Sequence, residues 1–230
     1  MATVLVTGAN RGLGLEFVRQ YANKGWTVLA ACRSPEQATE LNALATDNEF
    51  IELLRLDVTN ESDINRLSET LQGRAIDHLM LNAGVLGDDC ATLGQMTQAK
   101  WLQVLSVNTV APALLIQALS ENVAASEHKT IIGISTRVAS LSDNSSGNMY
   151  SYRASKVALN QILVSAAKNL ESQGVKTLAI HPGWIQTDMG GENATFTVEE
   201  SALGIISVAE SLTLEQSGTF RVFDGASIEW

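Results

Sequence analysis

The sequence predicts a doubly wound α/β fold: a seven-stranded, mostly parallel sheet with helices on both faces. Two observations carry this expectation. Short apolar runs alternate with longer segments of helical period along the whole chain, the arrangement of repeated βα units. Most of the short runs are apolar throughout rather than at every second position, as strands covered on both faces must be.

The elements follow in order. Residues 3–7 form the first strand, and a glycine-rich turn leads into a helix over 12–24. Residues 26–31 form the second strand and residues 50–56 the third, with a helix near 36–45 between them. A helix over 61–72 precedes a fourth strand at 77–81. A long apolar helix over 97–123 precedes a fifth at 130–135, and another over 150–172 precedes a sixth at 175–181. A helix over 198–210 and a seventh strand at 218–223 complete the pattern. No repeat, low-complexity tract or linker interrupts it, so residues 1–230 are expected to form one domain.

Two helices are apolar over more than one stripe. One carries Ala111, Leu114, Leu115, Ala118 and Leu119; the other carries Val157, Leu159, Ile162, Leu163, Val164 and Ala167. So wide an arc needs cover beyond the sheet. Burial inside the monomer is one answer. A subunit interface is the favoured one, which makes the chain a homodimer or homotetramer.

Composition narrows the partners. The 230 residues carry a net charge of −10. That balance argues against nucleic acid or an anionic membrane as main partner. The two cysteines, Cys32 and Cys90, suggest neither a disulfide framework nor a metal site, and a reducing cytoplasm fits them. No charged segment precedes an apolar stretch at the start, so no signal peptide is expected. No uninterrupted apolar run approaches membrane-spanning length. His78 and His128 lack clustered Cys, His or carboxylate partners, so no metal is expected.

Gly8, Gly12 and Gly14 follow the first strand and open the first helix. Such a turn lets backbone approach a pyrophosphate, and the helix N-terminus offers it unpaired N–H groups and a positive dipole end. The spacing is Gly-x-x-x-Gly-x-Gly rather than Gly-x-Gly-x-x-Gly. An NAD site wants an acid at the end of the second strand. Here that end reads Ala30-Ala31-Cys32-Arg33, and Arg11 sits inside the glycine turn. Two guanidinium groups could flank a 2′-phosphate, so the expected cofactor is NADP(H).

Tyr152 and Lys156 stand four residues apart on a predicted helix, hence on one face. A free tyrosine titrates near about 10, and a nearby ammonium lowers that value. A tyrosine tuned toward neutrality can give a proton to a nascent alkoxide or take one from an alcohol. Just upstream, Ser135 and Thr136 end the fifth strand; a hydroxyl there could hold a substrate carbonyl.

These residues together resemble the short-chain dehydrogenase/reductase family. The resemblance rests on Thr7-Gly8-x-x-x-Gly12-x-Gly14, Asp57-Val58, Leu81-Asn82-Ala83-Gly84, Asn108, Ile134-Ser135-Thr136, Tyr152-x-x-x-Lys156 and Pro182-Gly183, in the family's order. The Tyr-Arg-Ala-Ser-Lys box and Phe223-Asp224-Gly225 resemble its small carbonyl reductase and C-factor-like branch. The resemblance implies a Rossmann fold and an NADPH-dependent reductase of aldehydes or ketones. A cofactor-binding sensor with weak chemistry is the alternative.

It also implies roles. Gly8, Asn10, Arg11, Gly12, Leu13 and Gly14 would cradle the cofactor, with Arg33 at its 2′-phosphate. Asp57 and Val58 would meet the adenine, while Asn82, Ala83 and Gly84 would lie by its ribose and steady the sheet. Pro182, Gly183, Ile185 and Thr187 would surround the nicotinamide. Lys156 would bond the nicotinamide ribose, and Asn108 would hold a water in a proton relay. The family usually has a serine pair whose second member is catalytic. Register therefore favours Thr136, and residue type favours Ser135.

Residues 184–197 would be a short lid over the substrate, with Gly190 and Gly191 as hinge points. Trp184, Met189 and Phe196 on one side, and Leu86, Val138 and Met149 on the other, would suit an uncharged, partly apolar carbonyl compound. His181, at the end of the sixth strand, is expected to make a structural hydrogen bond.

Overall fold

A computed structural model of the chain describes residues 1–87 and 93–230; Cys90 lies outside the described residues, and Cys32 is a buried free thiol. The strands are β1 (Thr3–Thr7), β2 (Thr27–Cys32), β3 (Ile51–Arg55), β4 (His78–Leu81), β5 (Thr130–Ile134), β6 (Lys176–His181) and β7 (Thr219–Val222). They form one sheet in the order β3-β2-β1-β4-β5-β6-β7. Every pairing is parallel, so the sheet is more uniform than the expected mostly parallel one. The helices are α1 (Gly12–Asn23), α2 (Thr39–Asp47), α3 (Glu61–Thr70), α4 (Gln98–Leu105), α5 (Ala111–Ala124), α6 (Tyr150–Leu170) and α7 (Val198–Ser211). This is a Rossmann fold.

Alternate residues of each strand feed two cores. Val4, Val6, Val28 and Ala30 pack with Phe17 and Tyr21 of α1, Leu41 of α2 and Ile205 of α7. Leu5, Leu29 and Ala31 pack on the other face with Leu67 of α3, Leu115 and Leu119 of α5, and Leu159 and Leu163 of α6. That double cover explains the continuously apolar strands. The strand order reverses between β1 and β4, and the crevice beyond the carboxyl ends there is where such sheets bind ligands.

Two helices depart from the expected boundaries. The segment near 36–45 divides into a 3₁₀ turn at Pro35–Gln37 and α2. The Asn42 side chain bonds the Pro35 and Ala38 carbonyls across the break, at 2.6 and 2.9 Å. The helix over 97–123 is continuous but carries a π-helical turn at Ser106–Val110 between α4 and α5. Pro112 supplies the reason. It has no N–H, so the carbonyl four residues back, that of Asn108, lacks its α-helical donor.

The stretch Gln98–Ala124 is long and apolar enough to cross a membrane by length and composition alone. It packs on the sheet through Leu115, Leu119 and Val123. Leu114, Ala118 and Ile162 of α5 and α6 remain partly buried, while Leu102 and Val110 are exposed.

Candidate active site

The glycine turn joins β1 to α1 beside the reversal point. Gly8 and Gly12 have φ of 67° and 53°, a left-handed conformation that side chains disfavour. Gly14 serves packing: a Cβ there would come within 2.1 Å of the Gly8 carbonyl oxygen. Unlike α3, whose first turn is capped by Asn60, α1 has Arg11 at its N-cap position with no side-chain cap, and no acid in its first turn. Its leading N–H groups have no intrahelical partners. An open, electropositive helix start behind a side-chain-free turn fits the pyrophosphate of a dinucleotide.

Thr7 and Asn82 fix this turn to the end of β4. The Thr7 hydroxyl accepts from the Asn82 and Ala83 amides, each at 3.0 Å. The Asn82 side chain donates to the Thr7 and Gly8 carbonyls at 2.9 and 3.2 Å. Val58 and Ala83 line a small apolar hollow together with Thr7 and Val107. Asp57 spends one carboxylate oxygen on the Thr59 amide and hydroxyl, at 2.9 and 2.7 Å.

The two arginines differ. Arg33 is exposed just beyond β2. Arg11 forms an ion pair with Asp188 of the 184–197 segment, so it does not stand free as the 2′-phosphate expectation pictured it. The same segment comes near Gly12 through the Thr187 methyl. It is built by its own bonds: Ile185 bridges Phe196, Trp184 Nε1 donates to the Gly190 carbonyl at 2.7 Å, and Thr187 Oγ1 accepts from the Gly190 amide at 3.1 Å. Pro182 is anchored by Ser201, whose hydroxyl donates to its carbonyl at 2.7 Å. At Gly183 a Cβ would press on Phe196 at 2.9 Å.

Asn108 and Lys156 come together around Gly84, with Tyr152 one helical turn before Lys156. A Cβ on that glycine would lie 3.4 Å from both Asn108 Oδ1 and Lys156 Nζ. Asn108 is fully buried. Its side chain exchanges two hydrogen bonds with the Val85 backbone, at 2.9 and 2.8 Å. Lys156 donates to the Ile134 carbonyl at 2.8 Å, and its Nζ lies 6.0 Å from the Tyr152 ring centroid.

Ser155, inside the Tyr-x-x-x-Lys box, was not singled out from sequence. It accepts from Asn108 Nδ2 at 3.0 Å and donates to the Tyr152 carbonyl at 2.7 Å. The π turn is thereby locked to the helix carrying the tyrosine. The signal was available: Ser155 follows Tyr152 by three residues, one helical turn.

Electrostatics correct one expectation. Burial pushes Tyr152 up to about 12, so it is not drawn toward neutrality. Desolvation outweighs an ammonium whose own bond goes to Ile134. Burial pushes Lys156 down to about 8. At neutral pH the tyrosine holds its proton, as a donor must.

Ser135 and Thr136 face differently. Ser135 is buried, and its hydroxyl donates to Asn160 Oδ1 at 2.6 Å. Thr136 is only partly buried, and its hydroxyl accepts from the Val138 amide at 3.4 Å. His181 also departs from expectation: its Nδ1 is buried without a hydrogen-bond partner, and burial, with Arg137 as a lesser cause, depresses it to about 4. Among the described residues no cluster of three or more His, Cys, Asp or Glu could hold a metal ion.

A Rossmann sheet with a phosphate-ready glycine turn beside a Tyr–Lys–Asn cluster defines an oxidoreductase. The chain belongs to the short-chain dehydrogenase family, whose model matches residues 2–197. It is 33% identical over 236 residues to 1-hydroxy-2-glutathionyl-2-methyl-3-butene dehydrogenase of Rhodococcus sp. (strain AD45), covering 100% of both chains. It is 35% identical over 155 residues to C-signal of Myxococcus xanthus, covering 67% of this chain and 93% of that one. A solved structure of an NADPH-bound carbonyl reductase from chicken fatty liver superposes with a TM-score of 0.93 at 33% identity, covering 100% of this chain and 99% of that one.

Proposed function

We propose that the chain is an NADPH-dependent reductase of aldehyde or ketone carbonyls. The observation that carries this reading is the burial of Asn108 and Lys156 against Gly84, with Tyr152 tied to them through Ser155 and the Lys156 ammonium, beside a glycine turn open to phosphate. Gly8, Asn10, Gly12, Leu13 and Gly14 would hold the pyrophosphate side of NADPH, with Arg33, and Arg11 once Asp188 releases it, at the 2′-phosphate. Asp57, Val58, Asn82, Ala83 and Gly84 would hold the adenosine side, and Pro182, Gly183, Ile185 and Thr187 the nicotinamide side. When bound, the cofactor supplies the hydride.

The chain's own residues handle the oxygen. Tyr152 bonds the carbonyl oxygen and delivers its proton there. Thr136 adds a second hydrogen bond to that oxygen, because Ser135 is committed to Asn160. Lys156 places positive charge beside the tyrosine, and Asn108 supports proton resupply from the π turn. Residues 184–197 act as a lid. Trp184, Met189 and Phe196 with Leu86, Val138 and Met149 suit uncharged, partly apolar substrates. The reading includes no metal, no nucleic acid and no membrane partner, and a cytoplasmic setting. It also includes a homodimer or homotetramer through α5 and α6, which light scattering after size exclusion would test; a clean monomer overturns it.

The decisive test is NADPH oxidation over a panel of aldehydes, ketones and quinones, with wild type and Tyr152→Phe. Turnover that the variant loses while keeping NADPH affinity supports the reading; a variant that retains turnover sinks it. Similarity to C-signal favours a second reading, a cofactor-binding sensor with weak chemistry. Binding without turnover across the panel would favour that one.

A further inference from the structure

We propose that Arg153 is a positioning residue: it ties both ends of the β5–α6 connection, residues 136–149, to the helix that carries Tyr152. The inference rests on the carbonyl-reductase reading of the site. Arg153 follows Tyr152 directly, so its side chain leaves α6 about 100° around from the tyrosine. Its Nη1 donates to the Val138 carbonyl at 2.8 Å, near the start of the connection. Its Nη2 donates to Ser146 Oγ at 3.0 Å, near the end. One rigid, planar group therefore spans the connection and fixes its two limbs to one point on the helix. The third guanidinium nitrogen, Nε, is buried without a partner. That is an unfavourable placement, offset by the two bonds to the connection.

The connection needs holding. Gly147, Asn148 and Met149 are three successive left-handed residues, with φ of 63°, 59° and 51°. Asn148 and Met149 lack glycine's freedom there, and such strain persists only where surrounding contacts over-determine it. The contacts are few, and one of them is the weak donation of the Ser146 hydroxyl to the Gly147 carbonyl at 3.5 Å. The Gly147 amide donates to Asn144 Oδ1 at 3.1 Å, the Arg153 amide to the Met149 carbonyl at 2.8 Å, and the Arg153 guanidinium to Ser146. Arg153 thus holds the strained turn from both its backbone and its side chain.

At the other limb, Thr136 is extended and caps the 3₁₀ turn Arg137–Ala139 by accepting from the Val138 amide. The Val138 carbonyl is the group that Arg153 grips. Loss of the guanidinium would let Val138, and with it the Thr136 hydroxyl, drift relative to Tyr152, the residue next to Arg153 on α6.

The experiment compares wild type with Arg153→Met, Arg153→Lys and Ser146→Ala. Three quantities are read: hydrogen–deuterium exchange of segment 136–149, the NADPH dissociation constant by fluorescence titration, and kcat and KM for the best carbonyl of the panel. Arg153→Met should raise exchange in that segment and lower kcat/KM by about tenfold to a hundredfold. NADPH affinity should stay within about twofold of wild type, a change of no more than ~0.4 kcal/mol. Arg153→Lys and Ser146→Ala, each keeping one limb tied, should fall between; they carry the test if the Met variant does not fold. Unchanged exchange in 136–149 overturns the clamp. Faster exchange with unchanged kcat/KM, or a loss of kcat/KM matched by lost NADPH affinity, overturns its role in the site. If wild type turns over no carbonyl, the functional reading falls by itself, and the exchange data still decide the clamp.

Discussion

The Ser135 hydroxyl points at Asn160, 2.6 Å from its carbonyl oxygen, and so is turned into the layer between β5 and α6. Asn160 Nδ2 is buried without a partner, which leaves this bond as the amide's one satisfied contact. On the proposed reading, the neighbouring Thr136 hydroxyl is the one that meets the substrate. Thr136→Ala should lower kcat by about a hundredfold or more, the usual cost of one donor to a developing oxyanion. Ser135→Ala should keep kcat near wild type but destabilise the fold by about 1–3 kcal/mol, because it strands a buried acceptor. Steady-state kinetics and urea unfolding of both variants check this. The opposite pattern would make Ser135 the catalytic hydroxyl.

Lys156 and Tyr152 respond to burial in opposite directions, with Lys156 near about 8 and Tyr152 near about 12. In the proposed reduction, the competent form has both protonated. As pH rises, the lysine loses its proton first, and with it the charge beside the tyrosine. The kcat/KM for carbonyl reduction should therefore fall as pH rises through about 8, well before the tyrosine titrates. In Lys156→Arg, whose guanidinium stays charged, that limb should move above pH 10 even if the overall rate is lower. A pH profile with the same limb in both proteins would assign it elsewhere.

The sheet, the glycine turn and the pairing of Tyr152 with Lys156 were legible in the sequence because each is a local pattern: period, spacing or a residue type a turn demands. What escaped depends on distant parts of the chain. Arg11 meets Asp188 across 177 positions, so its removal from the open phosphate site left no trace in the glycine motif. Tyr152 was expected to shift downward from its neighbour lysine, but burial, invisible in a spacing, sets the direction. His181 looked like a hydrogen-bonded strand end and instead buries an unpaired Nδ1. The π turn was readable in principle, since Pro112 stands four residues after Asn108.

At the opposite end of the sheet, His78 is fully buried. Tyr21 OH lies 2.7 Å from its Nδ1, Trp26 packs against its ring, and its Nε2 has no partner. Burial pulls it down to about 3; His128, Lys176 and Lys24 add to the shift, and Asp77 opposes it. An unfolded histidine titrates near about 6.5, so between these values the unfolded chain binds more protons. Stability from this group is present above pH ~6.5 and is lost as pH falls toward 3. Between pH 7 and pH 5 the loss should be about 2 kcal/mol. Urea midpoints at the two pH values check it. In His78→Gln, which cannot titrate, the difference should shrink by about that amount; an undiminished difference would place the sensitivity in other groups.

On the proposed reading, cofactor choice turns on how Arg33 and Arg11 are engaged. Arg33 is exposed beyond β2 where an NAD site would carry an acid, and Arg11 is occupied by Asp188. A hydrogen bond to a charged group contributes about 1.5–3 kcal/mol. Arg33→Asp, with Cys32 unchanged, should therefore raise KM for NADPH by about tenfold or more and leave KM for NADH nearly unchanged. Arg11 should matter less while Asp188 competes for it. Asp188→Asn removes the competitor and should lower KM for NADPH a few-fold without affecting NADH, since NADH has no 2′-phosphate for the freed guanidinium. This exposed pair is screened by salt, so the gain should shrink as ionic strength rises. Equal effects of Arg33→Asp on both cofactors would remove that residue from the phosphate site, and an Asp188→Asn effect indifferent to the 2′-phosphate would remove Arg11.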